Sequence, residues 1–74
     1  MPDKRIVTYH LARLQDKNRD VRLKAIQELG LLGDPDAFEP LREVFKNDPD
    51  PEVRKAAQEA GRVIFLKQKE QSRA

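Results

Sequence analysis

The chain has no cysteine and no tryptophan, a single histidine, three glycines and aromatic residues at only 5% of its 74 positions. Each shortage removes a class of function. Without cysteine there is neither a disulfide framework nor a thiolate for nucleophilic or metal chemistry, and a lone histidine cannot make a zinc site. No apolar run approaches the ~20 residues that span a bilayer; the longest is Val63-Ile64-Phe65-Leu66. No apolar stretch of signal-peptide length follows Met1-Pro2-Asp3-Lys4-Arg5, so the sequence reads as cytoplasmic, with no membrane contact expected. Charge of one sign is scarce as well. Fifteen Lys and Arg stand against thirteen Asp and Glu, a formal +2, and the two signs alternate along the chain. Nucleic-acid binders usually gather their basic surplus into a patch or stripe.

What is present is charge and helical period. Charged residues make up 38% of the chain, equal to the hydrophobic share. The length allows one small domain, residues 1–74. A chain this short buries only about 60% of the surface its unfolded form exposes, and scaffolds of this size lean on disulfides, a metal or a partner. With the first two excluded, a partner is expected.

Punctuation divides the chain into four helical segments. The first begins near Asp3 and carries Ile6, Val7, His10, Leu11 and Leu14 at 3/4 spacing. The second follows Asn18, a good N-cap, has Asp20 in its first turn, and runs through Val21, Ala25, Leu29 and Leu32 to Gly33. The third opens on Asp34 and Pro35, with Ala37, Leu41, Val44 and Phe45 on one side; Pro40 inside it predicts a bend or a displaced start. The fourth repeats the cap with Asp50 and Pro51 and carries Val53, Ala57, Ala60 and Ile64. There is no strand alternation and no linker composition.

An internal repeat organises these segments. Asn18-Arg19-Asp20-Val21-Arg22 lies over Asp50-Pro51-Glu52-Val53-Arg54 at an offset of 32, and Ala25 over Ala57. Leu11 and Leu14 lie over Leu41 and Val44 at an offset of 30. Two hairpins result, repeat one at about 4–32 and repeat two at about 34–70, each apolar on one side and unable to bury that side alone. They are expected to stack as an all-α pair of hairpins, four antiparallel helices in a short α-solenoid.

The residues Asp20-Val21-Arg22 with Ala25, the turn Leu29-Gly30-Leu31-Leu32-Gly33-Asp34-Pro35-Asp36-Ala37 with Leu41, and Glu52-Val53-Arg54 with Ala57 resemble the HEAT-repeat family, in particular the short HEAT-like repeats of phycobilisome lyases. The resemblance covers most of the chain, from about Tyr9 to about Ala60. It implies the solenoid fold, and it implies a ladder along the stack made by Asp20, Arg22, Glu52 and Arg54, with the arginines paired to Asp16, Asp20, Asp48 or Asp50. The chain departs from the pattern in two ways. Solenoids normally use three or more repeats, and this chain has two. Repeat two also has Gly61 at the position of Leu29 and no stop turn, so the fourth helix is expected to run to about Glu70 and overhang its neighbours.

No catalytic constellation is expected, and no cofactor or metal. His10 falls in an apolar stripe without companions and reads as a half-buried packing residue. Asp34 and Asp36 flank a proline at a helix start, which is capping rather than the ordered oxygen set of a calcium loop. Gly30 and Gly33 follow no strand and precede no phosphate-binding lysine. Thr8, Tyr9 and Ser72 have no base at motif spacing.

The informative oddity is the end of the fourth helix. Val63, Ile64, Phe65 and Leu66 wrap most of the way round it, with Arg62 and Lys67 as a polar rim, and no third repeat covers them. Two readings stand: Phe65 folds back over Gly61, or the segment docks on another protein or a second copy of the chain. The expected function is a non-enzymatic protein–protein interaction or assembly module. The alternatives are a nucleic-acid-binding module using Arg19, Arg22, Arg54 and Lys55, and, from the resemblance, an accessory role in phycobiliprotein chromophore attachment.

Overall fold

The computed structural model describes residues 3–71; Met1, Pro2 and the Ser72 hydroxyl considered above lie outside the described residues. Four helices form where the caps place them. Helix α1 spans Lys4–Arg13, and the Asp3 carboxylate accepts the Arg5 N–H at 2.9 Å. Helix α2 spans Arg19–Leu32; the Asn18 side chain accepts the Asp20 N–H at 2.8 Å, and Gly33 ends the helix with φ of 68°, its N–H donating to the Leu29 carbonyl. Left-handed backbone of this kind suits glycine, which has no Cβ to clash.

The proline-rich start of repeat two is resolved in two steps. Pro35–Ala37 makes one 3-10 turn capped by Asp34, and helix α3 then runs Phe38–Asn47. Pro40 is thereby the third residue of α3, in the first turn, where a missing N–H leaves no helical bond unmade. The displaced start replaces a bend. Helix α4 spans Pro51–Gln71, with the Asp50 carboxylate accepting the Glu52 and Val53 N–H groups at 2.8 and 3.2 Å.

Helix α1 packs on α2, α3 on α4, and α2 against α4, so the two hairpins stack into a slab of 40 × 24 × 15 Å. One core links them, made of Val7, Leu14, Ala25, Ile26, Leu29, Ala37, Leu41, Val44, Val53, Ala57, Ala60 and Ile64. Three apolar residues depart from the expected stripes. Ile6 and Phe45 are exposed, while Ile26, outside the α2 stripe, is buried. The α2 face is wide because it packs against α1 on one side and α4 on the other. The outer helices α1 and α3 meet less closely and leave a groove of about 730 Å³, floored by Leu14 and Val44 and crossed by Arg22 and Asp48.

The α2–α4 seam is close. A Cβ built on Gly30 would stand 3.3 Å from the Ala60 Cβ, a crowded contact that Ala60 would have to yield to. Arg22 spans the seam at one end. Its Nε lies 2.8 Å from Asp48 Oδ2, both side chains largely buried, while its Nη1 donates to the Asp16 carbonyl at 2.8 Å. The Nε–H makes no aligned hydrogen bond, and it is Nη2 that donates to Asp48 Oδ1, at 3.4 Å. At the other end of the seam, a Cβ built on Gly33 would come within 2.8 Å of the Lys67 side chain, which lies across the α2 C-terminus. A cation is favourable at that end of a helix.

The ladder differs from its expected membership. Arg22 does reach the next repeat, through Asp48. Asp20 and Glu52, however, both pair with Arg19, whose Nη1 and Nη2 lie 3.1 and 2.9 Å from them and whose Nε lies 2.7 Å from Asp50. Arg54 is bonded to a carbonyl instead of an acid: its Nη1 donates to the Asp48 carbonyl at 2.7 Å. This repeats the Arg22–Asp16 bond at the same offset. A carboxylate matching Asp48 would belong to a third repeat. At the hairpin turn a further tie joins the repeats, Lys4 Nζ lying 2.7 Å from buried Asp34 and 2.8 Å from Asp36.

Two outcomes follow from these ties. Asp48→Asn keeps the hydrogen bond from the Asp50 N–H but removes the charge facing Arg22; it is expected to lower stability by about 2 kcal/mol, read as a shift in the urea unfolding midpoint. Lys4 holds the Asp34 carboxyl below its ordinary range against the opposing effect of burial, and Arg19, with the Val53 and Glu52 N–H groups, does the same for Asp50. Both carboxyls therefore titrate lower folded than unfolded. Their contribution is complete above the unfolded value, about 3.9, and is lost as pH falls through the lowered folded values. The unfolding midpoint is expected to drop below about pH 4, with a smaller drop in Lys4→Met; equal acid sensitivity in that variant would contradict the assignment.

Candidate interaction surface

The open end of the stack is defined by comparing the two inner helices position by position. At the offset of 32, Ile26 corresponds to Gln58, Leu29 to Gly61, Gly30 to Arg62 and Gly33 to Phe65. On repeat one, Gly30 lies against Ala60 of α4 and Gly33 against Lys67. The corresponding residues of α4, Arg62 and Phe65, are exposed.

Two of the four exchanges shape it. Phe65 in place of Gly33 removes the stop, so α4 continues to Gln71. Gly61 in place of Leu29 removes a core side chain, and a Cβ built there would meet nothing within 4 Å. The vacancy is a cleft of about 350 Å³ between α3 and α4. Phe38, Arg42 and Phe45 line it from α3; Ala57, Gln58, Gly61, Arg62 and Phe65 line it from α4. The Phe38 and Phe65 rings stack across it, 6.4 Å between centroids and tilted by 37°. Phe45 and Phe65 remain 41% and 55% exposed, unusual for rings of this size so close to a core.

Among the described residues no carboxylate lines the cleft. Arg42 has only a long contact, 3.9 Å, to Glu39, and among the described residues Arg62 has no ionic partner. Arg54, on the same side of α4, faces outward from its bond to Asp48.

The segment Val63 to Leu66 does not form one patch. Ile64 is fully buried and is corrected from a docking residue to a core residue: it continues the stripe of Val53, Ala57 and Ala60, where no partner can reach it. At about 100° per residue, Val63 lies about 160° round the helix from Phe65 and Leu66 about 100° from it. Both are exposed but stand away from the cleft. Lys67 lies against Gly33, so the overhang of α4 begins only beyond it. Phe65 and Arg62 alone of the six line the cleft, and Phe65 packs on Phe38 rather than over Gly61, keeping an open face. Phe38, Arg42 and Phe45 complete the site without having been expected there. Adjacent Val44 and Phe45 carried the signal, since neighbours on a helix cannot both face the core.

The remaining constellations are packing features. His10 is half-buried with its ring edge toward Tyr9, 5.2 Å between centroids, and Arg13 lies 5.1 Å over the Tyr9 ring. Asp34 caps the 3-10 turn and pairs with Lys4. Among the described residues there is no cluster of three or more metal-capable side chains. Of the basic residues considered for nucleic acid, Arg19 and Arg22 are committed to Asp20, Asp50, Glu52 and Asp48. No helix among the described residues is long and apolar enough to cross a membrane.

A family model for HEAT repeats matches residues 1–61, ending at the glycine where the cleft opens. Neither curated proteins nor solved structures give a significant match to the chain. The matched length, the two stacked hairpins and the arginine that reaches from one repeat to the next agree: the chain belongs to the HEAT-repeat family, whose members are generally non-catalytic and commonly serve as protein-interaction scaffolds.

Proposed function

We propose that this chain is a non-enzymatic interaction module that docks another protein at the open end of its stack, in the cleft at Gly61. The supporting observation is the vacancy itself. Where repeat one fills the core with Leu29, repeat two has no side chain, and three phenylalanines border the space. Burying a large apolar side chain there would contribute about 1.5–3 kcal/mol, and aromatic and arginine anchors of this kind dominate many interfaces. The cleft lies within one hairpin, and the contact of Phe38 with Phe65 spans it.

Two variants test the reading from opposite directions. Phe65→Asp places a charge on the rim and is expected to abolish docking with little change in helix content by circular dichroism. Gly61→Leu fills the vacancy as Leu29 does in repeat one, and replacing a mid-helix glycine favours α4 by about 0.8 kcal/mol. It should therefore fold at least as well and still lose the partner. The measurement is affinity capture from native lysate with all three chains. A protein retained by the wild type and lost by both variants is the expected result. An identical set of proteins on all three would overturn the proposal.

A further inference from the structure

Resting on that reading, we infer that the occupant of the cleft is a segment combining an apolar side chain with flanking carboxylates, and that it is neither a further HEAT repeat nor a second copy stacked as one. The chain contains its own control for the second half of this statement. Where a repeat does accept its successor, α2 offers Ile26, fully buried, and Gly30, so close to Ala60 that even a Cβ would crowd it. The corresponding residues of α4 are Gln58 and Arg62. An arginine cannot be brought to that helix–helix distance without burying its charge or displacing the partner, and an unpaired buried charge is costly. The outer face of α4 is thereby closed to in-register stacking while the cleft beside it stays open.

Size and charge then select the occupant. The cleft, about 350 Å³, opens to solvent between α3 and α4 and takes side chains from a segment lying across it. Among the described residues the lining has two guanidinium groups and no carboxylate, a local +2 on a chain whose formal charge is +2 in all. Arg54 adds a third cation on the same side of α4, bonded to the Asp48 carbonyl but lacking the carboxylate that its counterpart Arg22 has. An apolar residue in the Gly61 vacancy with an acid on each side would meet the rings and pair both Arg42 and Arg62. A basic segment would meet repulsion at the same points.

The test uses the full chain and three short capped peptides that share the same leucines, spaced by aspartate and glutamate, by lysine, or by serine and glutamine. Binding is followed by the backbone amide resonances of Phe38, Gly61, Arg62 and Phe65. The expected result is that the acidic peptide shifts these amides, binds about tenfold or more tightly than the neutral one, and weakens as salt is raised. The double variant Arg42→Glu, Arg62→Glu should invert the preference toward the lysine peptide. If the lysine peptide binds the wild-type cleft as well as the acidic one does, the charge assignment is overturned while docking at Gly61 stands. If none of the peptides shifts the cleft, the inference is overturned, and the lysate comparison with Gly61→Leu separately decides the docking reading. If the cleft amides shift with protein concentration alone, the occupant is a second copy and the inference is likewise wrong.

Discussion

Gly30 lies so close to Ala60 that even a Cβ would crowd the contact between α2 and α4, and the other ties of the molecule are arranged around that seam. Neither hairpin has a closed core of its own. Ile26 from repeat one and Ile64 from repeat two are fully buried in one shared cluster, so the apolar area that stabilises either hairpin is removed from water only when both are present. The seam is bounded at one end by Arg22 and Asp48 and at the other by Lys67 over the α2 C-terminus. These ties add little apolar burial. Their effect is on geometry, since they stop the hairpins from sliding along a contact that is otherwise mostly non-directional.

The outer face of repeat two differs from that of repeat one, and the difference makes a site. Gln58 and Arg62 make the α4 face polar, whereas Gly61 and Phe65 leave an aromatic cleft that no described residue fills. The combination of a charged cap and an unfilled core position is a surface that resists self-stacking and still offers burial to something small.

The comparison of sequence with structure divides along physical lines. The caps at Asp3, Asn18, Asp34 and Asp50 were legible because a cap is a local event: the side chain bonds an N–H two or three residues away, whatever the rest of the chain does. The repeat was legible because stacked units impose the same periodicity twice. The ladder was only half legible. Arg22 and Arg54 stand at equivalent positions, but the acid each meets depends on the neighbouring repeat, and Arg54 meets a carbonyl instead. The place of Arg19 in the ladder was not legible for the same reason. Its three acidic contacts come mainly from the far hairpin, and its own equivalent in repeat two is Pro51.

By itself, then, the sequence determined the helices, their caps, their pairing into two hairpins and the need for those hairpins to stack, because all of these follow from local hydrogen bonding and hydrophobic period. It also marked Gly61 as a departure from the repeat. Only the tertiary structure decided what that departure means. Helical period sets Ile64 on the stripe of Val53, Ala57 and Ala60, but it does not say what covers Val63, Phe65 and Leu66; packing buried Ile64 and left Phe65 beside Phe38. The cleft belongs to two helices that are brought together across a turn. Its lining is fixed by the way α3 crosses α4, a property of the packed molecule that no single segment contains.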